Sequence, residues 1–194
     1  MRYEKGRKDA SRSKIMEVAS ERFRKDGIAA SGLATIMKDA GLTNGAFYPH
    51  FESKAELVRE SVVAAMETQS LQLEAAMASG GLQMVIETYL SAGHRDNPAN
   101  GCASAALLPE IARQPFETRQ AYTEHFISQL RQVAATLPTA KDPEAIALGI
   151  FATLYGTLEL ARAVEGKELS DRILAAGKDA ARRLIQPHQA EVVS

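Results

Sequence analysis

Apolar residues recur at intervals of three and four along most of the chain, and no stretch alternates with a period of two. This spacing predicts helices throughout, because it places the apolar side chains on one face of a helix. Residues 15–23 carry the first such stripe, with Ser11 or Ser13 as the candidate N-cap and a stop at Gly27. Residues 33–40 carry a shorter stripe, between Ser31 as N-cap and a stop at Gly41.

The third predicted helix is short and follows the second closely. Thr43 is its expected N-cap, and the helix extends from residue 44 to about residue 50. Pro49 has no amide proton and kinks a helix, so we expect an early end. Two brief helices joined by three residues that include a glycine have the form of a helix-turn-helix, and the first helix closes its small core.

The remaining chain predicts six further helices. Ser53 and Glu56 have the spacing of a capping box, which starts a long helix near residue 54 that breaks at residues 80–81. Residues 94–101 are polar and predict a loop. Five more apolar stripes predict helices that begin near residue 82 and span residues 103–113, 116–137, 145–163 and 169–184. The fold class is therefore predicted to be all-α, with about nine helices.

The composition is that of an ordinary folded protein. Hydrophobic residues make up 45% of the chain and charged residues 24%. No segment resembles a signal peptide or the roughly 18 uninterrupted apolar residues of a membrane span. A single cysteine, Cys102, agrees with a reducing compartment. We therefore expect a cytoplasmic protein.

Charge is distributed unevenly, although the net charge is only -1. Residues 1–60 hold 12 Lys and Arg against 9 Asp and Glu, which is +3, and the remainder holds 11 against 15, which is -4. The segment 1–14 alone holds six Lys and Arg against two Asp and Glu, which is +4. Such a basic arm is suited to binding phosphates, although a solvated terminus has the same composition. Its basic residues are Arg2, Lys5, Arg7, Lys8, Arg12 and Lys14.

Residues 40–57, with the sequence AGLTNGAFYPHFESKAEL, are the most informative stretch. This run resembles the signature of TetR-family regulators, in which an Ala-Gly-aliphatic-Ser/Thr turn precedes an aromatic-Tyr-x-His-Phe segment and a Lys-x-x-Leu helix start. The quoted run is 18 of the 194 residues, and with the two helices that precede it the resemblance covers about a quarter of the chain. The helical remainder resembles the family in architecture only.

The resemblance implies a DNA-binding domain over residues 1–55 and an effector-binding and dimerisation domain over residues 56–190. It implies a ligand-responsive regulator, usually a repressor, that binds a palindromic operator in double-stranded DNA and leaves it when a small effector binds. Gly32 stands where the family often has a second Thr, so one phosphate contact is expected to be missing. The residues expected to contact DNA are Ser31, Lys38, Thr43, Asn44, Gly45, Ala46, Tyr48, His50 and Lys54.

Residue chemistry assigns tasks to this set without reference to the family. Thr43 and Asn44 are the expected base readers, and the small residues after them let the backbone approach the major groove. Tyr48, His50 and Lys54 are expected to hold phosphates and to fix the register of the protein on the duplex. Phe47 and Phe51 are expected in the core, since they follow the apolar spacing.

The last two predicted helices are the expected dimer interface, because a palindromic operator is read by a two-fold dimer. The residues expected there are Leu148, Gly149, Ala152, Gly156, Glu159, Ile173, Ala180 and Leu184. Glu159 and Arg162 are interpreted as a salt bridge of this dimer, and a polar anchor for a ligand is the alternative. The central helices are expected to enclose a largely apolar effector pocket. The residues expected to line it are Met66, Met84, Tyr89, Cys102, Phe116, Phe126, Phe151 and Tyr155.

Two other interpretations are open. Cys102 lies at a predicted helix start, where it could sense oxidants or electrophiles, or simply be a buried apolar residue. The chain could also be a helical interaction or scaffold module without DNA binding. No glycine-rich phosphate loop, metal-binding motif or catalytic signature is present in the sequence, so we expect neither an enzyme nor a cofactor.

Overall fold

The computed structural model describes residues 2–137 and 141–186. These residues form helices and no strand, as the apolar spacing predicts. The eight α-helices are α1 (Arg2–Asp26), α2 (Leu33–Asp39), α3 (Lys54–Tyr89), α4 (Ala92–Arg95), α5 (Ala103–Ile111), α6 (Phe116–Ala134), α7 (Pro143–Ala163) and α8 (Lys167–Ile185). The side chains of Arg2, Lys5 and Arg7 in the predicted basic arm lie outside the described part, as does the predicted domain end at residue 190.

Most predicted helices are present, and the differences have local causes. The predicted break at Gly80 and Gly81 is confirmed, since both have non-helical backbone angles within α3. The predicted N-cap at Ser11 or Ser13 is wrong, because α1 already begins at Arg2. The segment predicted as a loop, residues 94–101, starts within the single-turn helix α4 and contains a 3-10 turn at Pro98–Asn100. Ser91 caps α4 by accepting a hydrogen bond from the His94 amide at 3.2 Å.

The described chain divides into two compact units. One contains the residues up to Gln69 together with Asn97–Phe126, and the other contains Ser70–Asp96 and the residues from Ile127 onward. The predicted DNA-binding segment, residues 1–55, lies within the first unit. The predicted division of function at residue 55 remains a prediction.

The core of the first unit is built from aromatic and aliphatic side chains of α1, α2, α3 and α5. Phe23, Phe47 and Phe51 are each at most 1% exposed. Burying one such side chain stabilises the fold by about 1.5–3 kcal/mol. Leu107 and Ile111 of α5 belong to the same cluster, so this core extends well beyond the helix-turn-helix.

In the second unit, α7 packs along α8. The two helices approach closely where Thr157 meets Gly177, since a Cβ built on Gly177 would lie 2.2 Å from the Thr157 methyl group. α7 also has the length and apolar composition of a membrane-crossing helix. Its apolar character has a simpler source, because eight of its residues are buried, among them Ile150, Leu154 and Leu158.

A polar network around a buried arginine also stabilises the second unit. Arg95 is 8% exposed and donates to the Ser170 hydroxyl at 2.9 Å and to Asp171 at 2.6 Å. Its pKa is raised, first by the hydrogen bond to Asp96 and then by the one to Asp171. Arg162 donates to the backbone carbonyls of residues 94 and 95. The network therefore fixes α4 to both α7 and α8.

The contact between Thr157 and Gly177 predicts that Gly177→Ala destabilises the protein. The added methyl group has no room, so we expect the free energy of unfolding to fall by about 1–3 kcal/mol. Thr157→Ala removes two of the three clashing atoms and should recover part of that loss in the double variant. Urea denaturation of the four proteins measures this. If Gly177→Ala is as stable as the parent, α7 and α8 move apart at this contact without an energetic cost, and the prediction is wrong.

Candidate nucleic-acid interface

The turn after α2 has the geometry that a helix-turn-helix requires. Gly41 adopts a φ of 71°, a region that favours glycine, and it ends the helix as predicted. Its amide donates to the Lys38 carbonyl at 3.0 Å, and the Leu42 amide donates to the Met37 carbonyl at 2.9 Å. These two bonds close the turn, and the chain continues directly into the next segment.

The predicted third helix is only a single 3-10 turn, Asn44–Ala46, with Thr43 at its N-cap position. The expectation of an α-helix to about residue 50 is therefore wrong. Pro49 explains the early end, since it offers no amide for the next hydrogen bond. The segment continues as turns, in which the Phe51 amide donates to the Phe47 carbonyl at 3.1 Å. This short segment nevertheless occupies the place of a recognition helix in the sequence.

Neighbouring aromatic residues in this segment face opposite ways. Phe47 and Phe51 stack with a centroid distance of 5.4 Å inside the core, as the apolar spacing predicts. Tyr48 lies between them in the sequence and is 69% exposed. Its ring packs edge-on against Phe47, with centroids 5.4 Å apart, so the phenol is supported at its base and open to solvent. Such a side chain can reach a partner without disturbing the core.

Most residues expected to contact DNA are accessible. α2 and the following 3-10 turn are in contact, which places these residues on neighbouring elements. Ala46 and His50 are half-buried. The exposed residues are Lys38, Thr43, Asn44, Gly45 and Tyr48. We refer to these seven residues as the reading surface.

Ser31 and Lys54, also expected to contact DNA, have contacts within the protein. Ser31 is fully buried and donates to the Gly27 carbonyl at 2.7 Å. It is not the N-cap of α2, since Gly32 holds that position. Burial leaves the Ser31 hydroxyl unavailable to a phosphate in this conformation. Lys54 is half-buried and donates to the Ile28 carbonyl at 2.6 Å.

The predicted cap at the start of α3 is confirmed for Ser53, and the reciprocal bond of Glu56 reaches the amide one residue before it. The Ser53 hydroxyl accepts from the Glu56 amide at 3.1 Å. Glu56 reaches back and accepts from the amide of Glu52 at 2.6 Å. These bonds satisfy two amides at the helix start and fix the turn between Phe51 and Lys54.

Basic side chains of α1 lie beside His50. Burial lowers the pKa of His50, and the positive charges of Lys8 and Arg12 lower it further. Arg12 also lies over the Phe51 ring, 4.8 Å from its centroid, and forms an ion pair with Glu60. The charge count found this basic arm, but only the tertiary structure places two of its members next to the reading surface.

The residues expected to line an effector pocket fall into separate groups. In the first unit, Met66 is fully buried and its sulfur accepts from the Ser104 hydroxyl at 3.6 Å. Phe126, in the same unit, stacks on Tyr122 with centroids 6.1 Å apart. Phe116 is 64% exposed, so its side chain is not enclosed as the prediction requires.

In the second unit, three of the residues expected in the pocket form an aromatic cluster. Tyr155 lies between the other two, with centroid distances of 6.0 Å to Tyr89 and 5.7 Å to Phe151. Tyr89 also meets the His94 ring edge-on at 4.7 Å. Met84 is 40% exposed, so it stands apart from this enclosed group.

Cys102 is the N-cap residue of α5, as its predicted place at a helix start implies. Its sulfur accepts from the Ala105 amide at 3.4 Å and from the Gln69 side-chain amide at 2.7 Å. The residue is only 4% exposed. Burial limits the access of an oxidant to the thiol, which favours the interpretation of this residue as a buried apolar side chain.

The residues expected at the dimer interface lie along α7 and α8. Leu148, Ala152, Gly156 and Ala180 are exposed, whereas Gly149, Glu159, Ile173 and Leu184 are half-buried. The salt bridge interpreted as linking two protomers is present within one chain, where Arg162 donates to Glu159 at 2.8 Å. Among the described residues, no group of three metal-ligating side chains could hold an ion.

Comparison with known proteins agrees with this geometry. Residues 15–61 match the family model "Bacterial regulatory proteins, tetR family". The transcriptional regulator TtgR of Pseudomonas putida is 45% identical over 58 residues, which are 30% of this chain and 28% of that protein. The transcriptional repressor KstR2 of Rhodococcus jostii is 22% identical over 127 residues, which are 65% of this chain and 62% of that protein.

The fold also resembles solved structures. A TetR-family regulator from Agrobacterium tumefaciens superimposes with a TM-score of 0.76 at 20% identity, covering 89% of this chain and 97% of that one. The detailed sequence match thus spans less than a third of TtgR, whereas the structural match spans nearly the whole chain. The family match includes the turn after α2, the reading surface and the start of α3. Together these findings show that residues 15–61 carry the amino-terminal domain of the tetR family of bacterial regulatory proteins, and that the chain as a whole is similar in fold to TetR-family regulators of known structure.

Proposed function

We propose that this protein is a cytoplasmic transcriptional repressor that binds a palindromic DNA operator as a homodimer and leaves it when a small, largely apolar effector binds. The observation that carries the proposal is the reading surface, a group of exposed and half-buried polar and small residues within the family-matched domain. The Rhodococcus relative is named a repressor, which supports repression over activation as the mode of regulation. The names of the relatives describe regulators and not enzymes.

Contacts to DNA divide by side-chain chemistry. Thr43 and Asn44 are exposed at the start of the 3-10 turn and have the donor and acceptor groups that base edges recognise. Tyr48 and His50 follow them and suit phosphates, with Lys8 and Arg12 adding positive charge beside His50. Lys54 joins this set if its ammonium, which has three donors, binds a phosphate while it holds the Ile28 carbonyl.

DNA binding predicts different outcomes for three variants. Tyr48→Ala and Lys54→Ala should weaken binding to all duplexes, and Lys54→Ala should lower the slope of log affinity against log salt by about 1. Asn44→Ala should cost about 1–3 kcal/mol on the preferred duplex and relax the sequence preference. Fluorescence anisotropy with duplexes selected from a random pool measures both effects. Unchanged binding in all three variants would remove the site assignment.

The same titrations distinguish the alternative of a helical scaffold without DNA binding. A DNA reader loses affinity steeply between two salt concentrations, since each neutralised phosphate releases counterions. A scaffold retains no duplex at either concentration. A control variant for these titrations should change one charge without disturbing a contact within the protein. Asp39→Asn does not meet this condition, because Asp39 pairs with Arg22 of α1. Glu67→Gln on the exposed face of α3 is a suitable one.

A homodimer through α7 and α8 accounts for the apolar surface of these helices. Leu148 and Leu160 of α7 are 46% and 60% exposed, and Leu169 of α8 is 46% exposed. A second copy of the chain would cover such side chains in a self-complementary contact. A Cβ built on Gly156 would have nothing within 4 Å of it, so a partner helix can approach this position closely.

The dimer predicts that Ala152→Glu yields folded monomers. The charge would be buried without a partner at the interface but is harmless on an isolated protomer, where Ala152 is exposed. Ala175→Glu is the matched control, since Ala175 is exposed on α8 at about 200° around the helix from Ile173. Sedimentation equilibrium and circular dichroism measure mass and folding. Monomers in the parent protein, or dimers in Ala152→Glu, would contradict this interface.

The effector is proposed to bind among the enclosed apolar and aromatic side chains of the helices that follow the DNA-binding domain. The cluster of Tyr89, Phe151 and Tyr155 supports an aromatic or apolar ligand, since such rings offer large apolar faces with polar hydroxyl groups. An effector acts only if it binds the DNA-free conformation more tightly than the DNA-bound one.

A thermal-shift screen with small aromatic and aliphatic compounds tests the effector proposal. We expect a compound that raises the melting temperature of the free protein also to weaken operator binding, by the reciprocity of linked equilibria. Tyr155→Ala should reduce both effects together. A compound that stabilises the protein but leaves DNA affinity unchanged would contradict induction by that ligand.

A further inference from the structure

A carboxylate of α5 holds the turn that follows α1. Glu110 Oε2 accepts from the Ile28 amide at 2.6 Å and from the Ala29 amide at 3.2 Å. Hydrogen bonds from amides to an ionised acceptor are among the stronger kinds in proteins. The partners are more than eighty residues apart in the sequence, and no sequence motif links them.

The turn is shaped to admit this carboxylate. Gly27 has a φ of 87°, which disfavours any residue with a side chain. A Cβ built on Gly27 would also lie 2.5 Å from Glu110 Oε1. Glycine is thus required here both for the backbone angle and for the close approach of Glu110.

The peptide group between Ile28 and Ala29 has charged partners at both ends. Its N–H, on Ala29, donates to Glu110, and its C=O, on Ile28, accepts from the Lys54 ammonium at 2.6 Å. A negative charge at the N–H end polarises the peptide and makes its oxygen a better acceptor. Glu110 therefore strengthens the bond that holds Lys54, although the two side chains do not touch through a direct hydrogen bond.

We infer that Glu110 is a positioning residue for DNA recognition, which acts through the Ile28–Ala29 peptide to hold the Lys54 ammonium and the start of α3 where the phosphate contact is made. The inference rests on the proposed function. Glu110 itself lies on α5, outside the segment expected to contact DNA. Its effect on binding is exerted through Lys54.

Glu110→Gln tests the inference, because glutamine has the same size and keeps one acceptor oxygen but loses the charge. We expect its affinity for duplexes selected by the parent protein to fall about tenfold, the scale of one charge-assisted hydrogen bond. The control is Glu67→Gln, which removes the same charge from an exposed site on α3. Removing a negative charge by itself strengthens DNA binding, so positioning and general electrostatics predict opposite signs.

A double-mutant cycle separates positioning from a general structural role. If Glu110 acts through Lys54, then Glu110→Gln has no further effect on DNA affinity in a Lys54→Met background. If Glu110 only stabilises the protein, Glu110→Gln lowers the DNA affinity by the same factor in both backgrounds. Glu110→Asp is the second variant, which keeps the charge but is one methylene shorter, and it should also weaken binding. Melting temperatures identify a temperature at which all variants are folded.

The outcomes distinguish this inference from the proposed function. A parent protein that selects no duplex overturns the proposed function and the inference with it. A parent protein that binds DNA, with Glu110→Gln binding as tightly or more tightly, overturns the inference alone. Additive losses in the Lys54→Met background also overturn it. Weaker binding by Glu110→Gln and Glu110→Asp, absent without Lys54, establishes it.

Discussion

The reading surface depends on one constraint, the burial of a small apolar core beneath it. α2 has seven residues and the following 3-10 turn has three, lengths at which isolated helices are unstable in water. Phe47 and Phe51 hold this segment by inserting into the cluster that Phe23 and α5 complete. The exposed polar residues between and beside them therefore have fixed positions without any regular helix of their own.

This arrangement separates stability from recognition within a few residues. Phe47 lies in the core, its neighbour Tyr48 lies in solvent, and the ring of the first supports the ring of the second. Polar bonds then fix the edges of the unit, through the capping box at Ser53 and the contact between Lys54 and Ile28. A surface with such support can present side chains to a partner at little cost in ordering entropy.

The second unit is built differently, because one of its helices, α7, is apolar on nearly all sides. The buried face of α7 packs on α8, and close approach at Gly177 leaves no room for a larger residue. The buried Arg95 then joins α4 to α8 through Ser170 and Asp171. Some apolar residues of α7 remain exposed, such as Leu160, and the proposed dimer would cover them.

The sequence by itself determined the helical fold class, most of the helices and the TetR-family amino-terminal domain, because these follow from local spacing, caps and a contiguous motif. It located Gly41, the break at Gly80 and Gly81, and the capping box for the same reason. It also predicted correctly that Phe47 is buried and that Tyr48 is accessible. The spacing did not predict that the Tyr48 ring packs edge-on against Phe47. These features involve residues within a few positions of one another.

Only the tertiary structure decided which polar residues are already engaged. Ser31 has the chemistry of a cap or a phosphate ligand, but burial commits its hydroxyl to Gly27. The loss of the third helix also needed coordinates, since Pro49 permits an early end without specifying where it falls. The contacts of Glu110 could not be predicted from the sequence. Its partners at Ile28 and Ala29 are backbone amides, which every residue type except proline provides. Long-range bonds of this kind leave no local pattern, so only the tertiary structure reveals them.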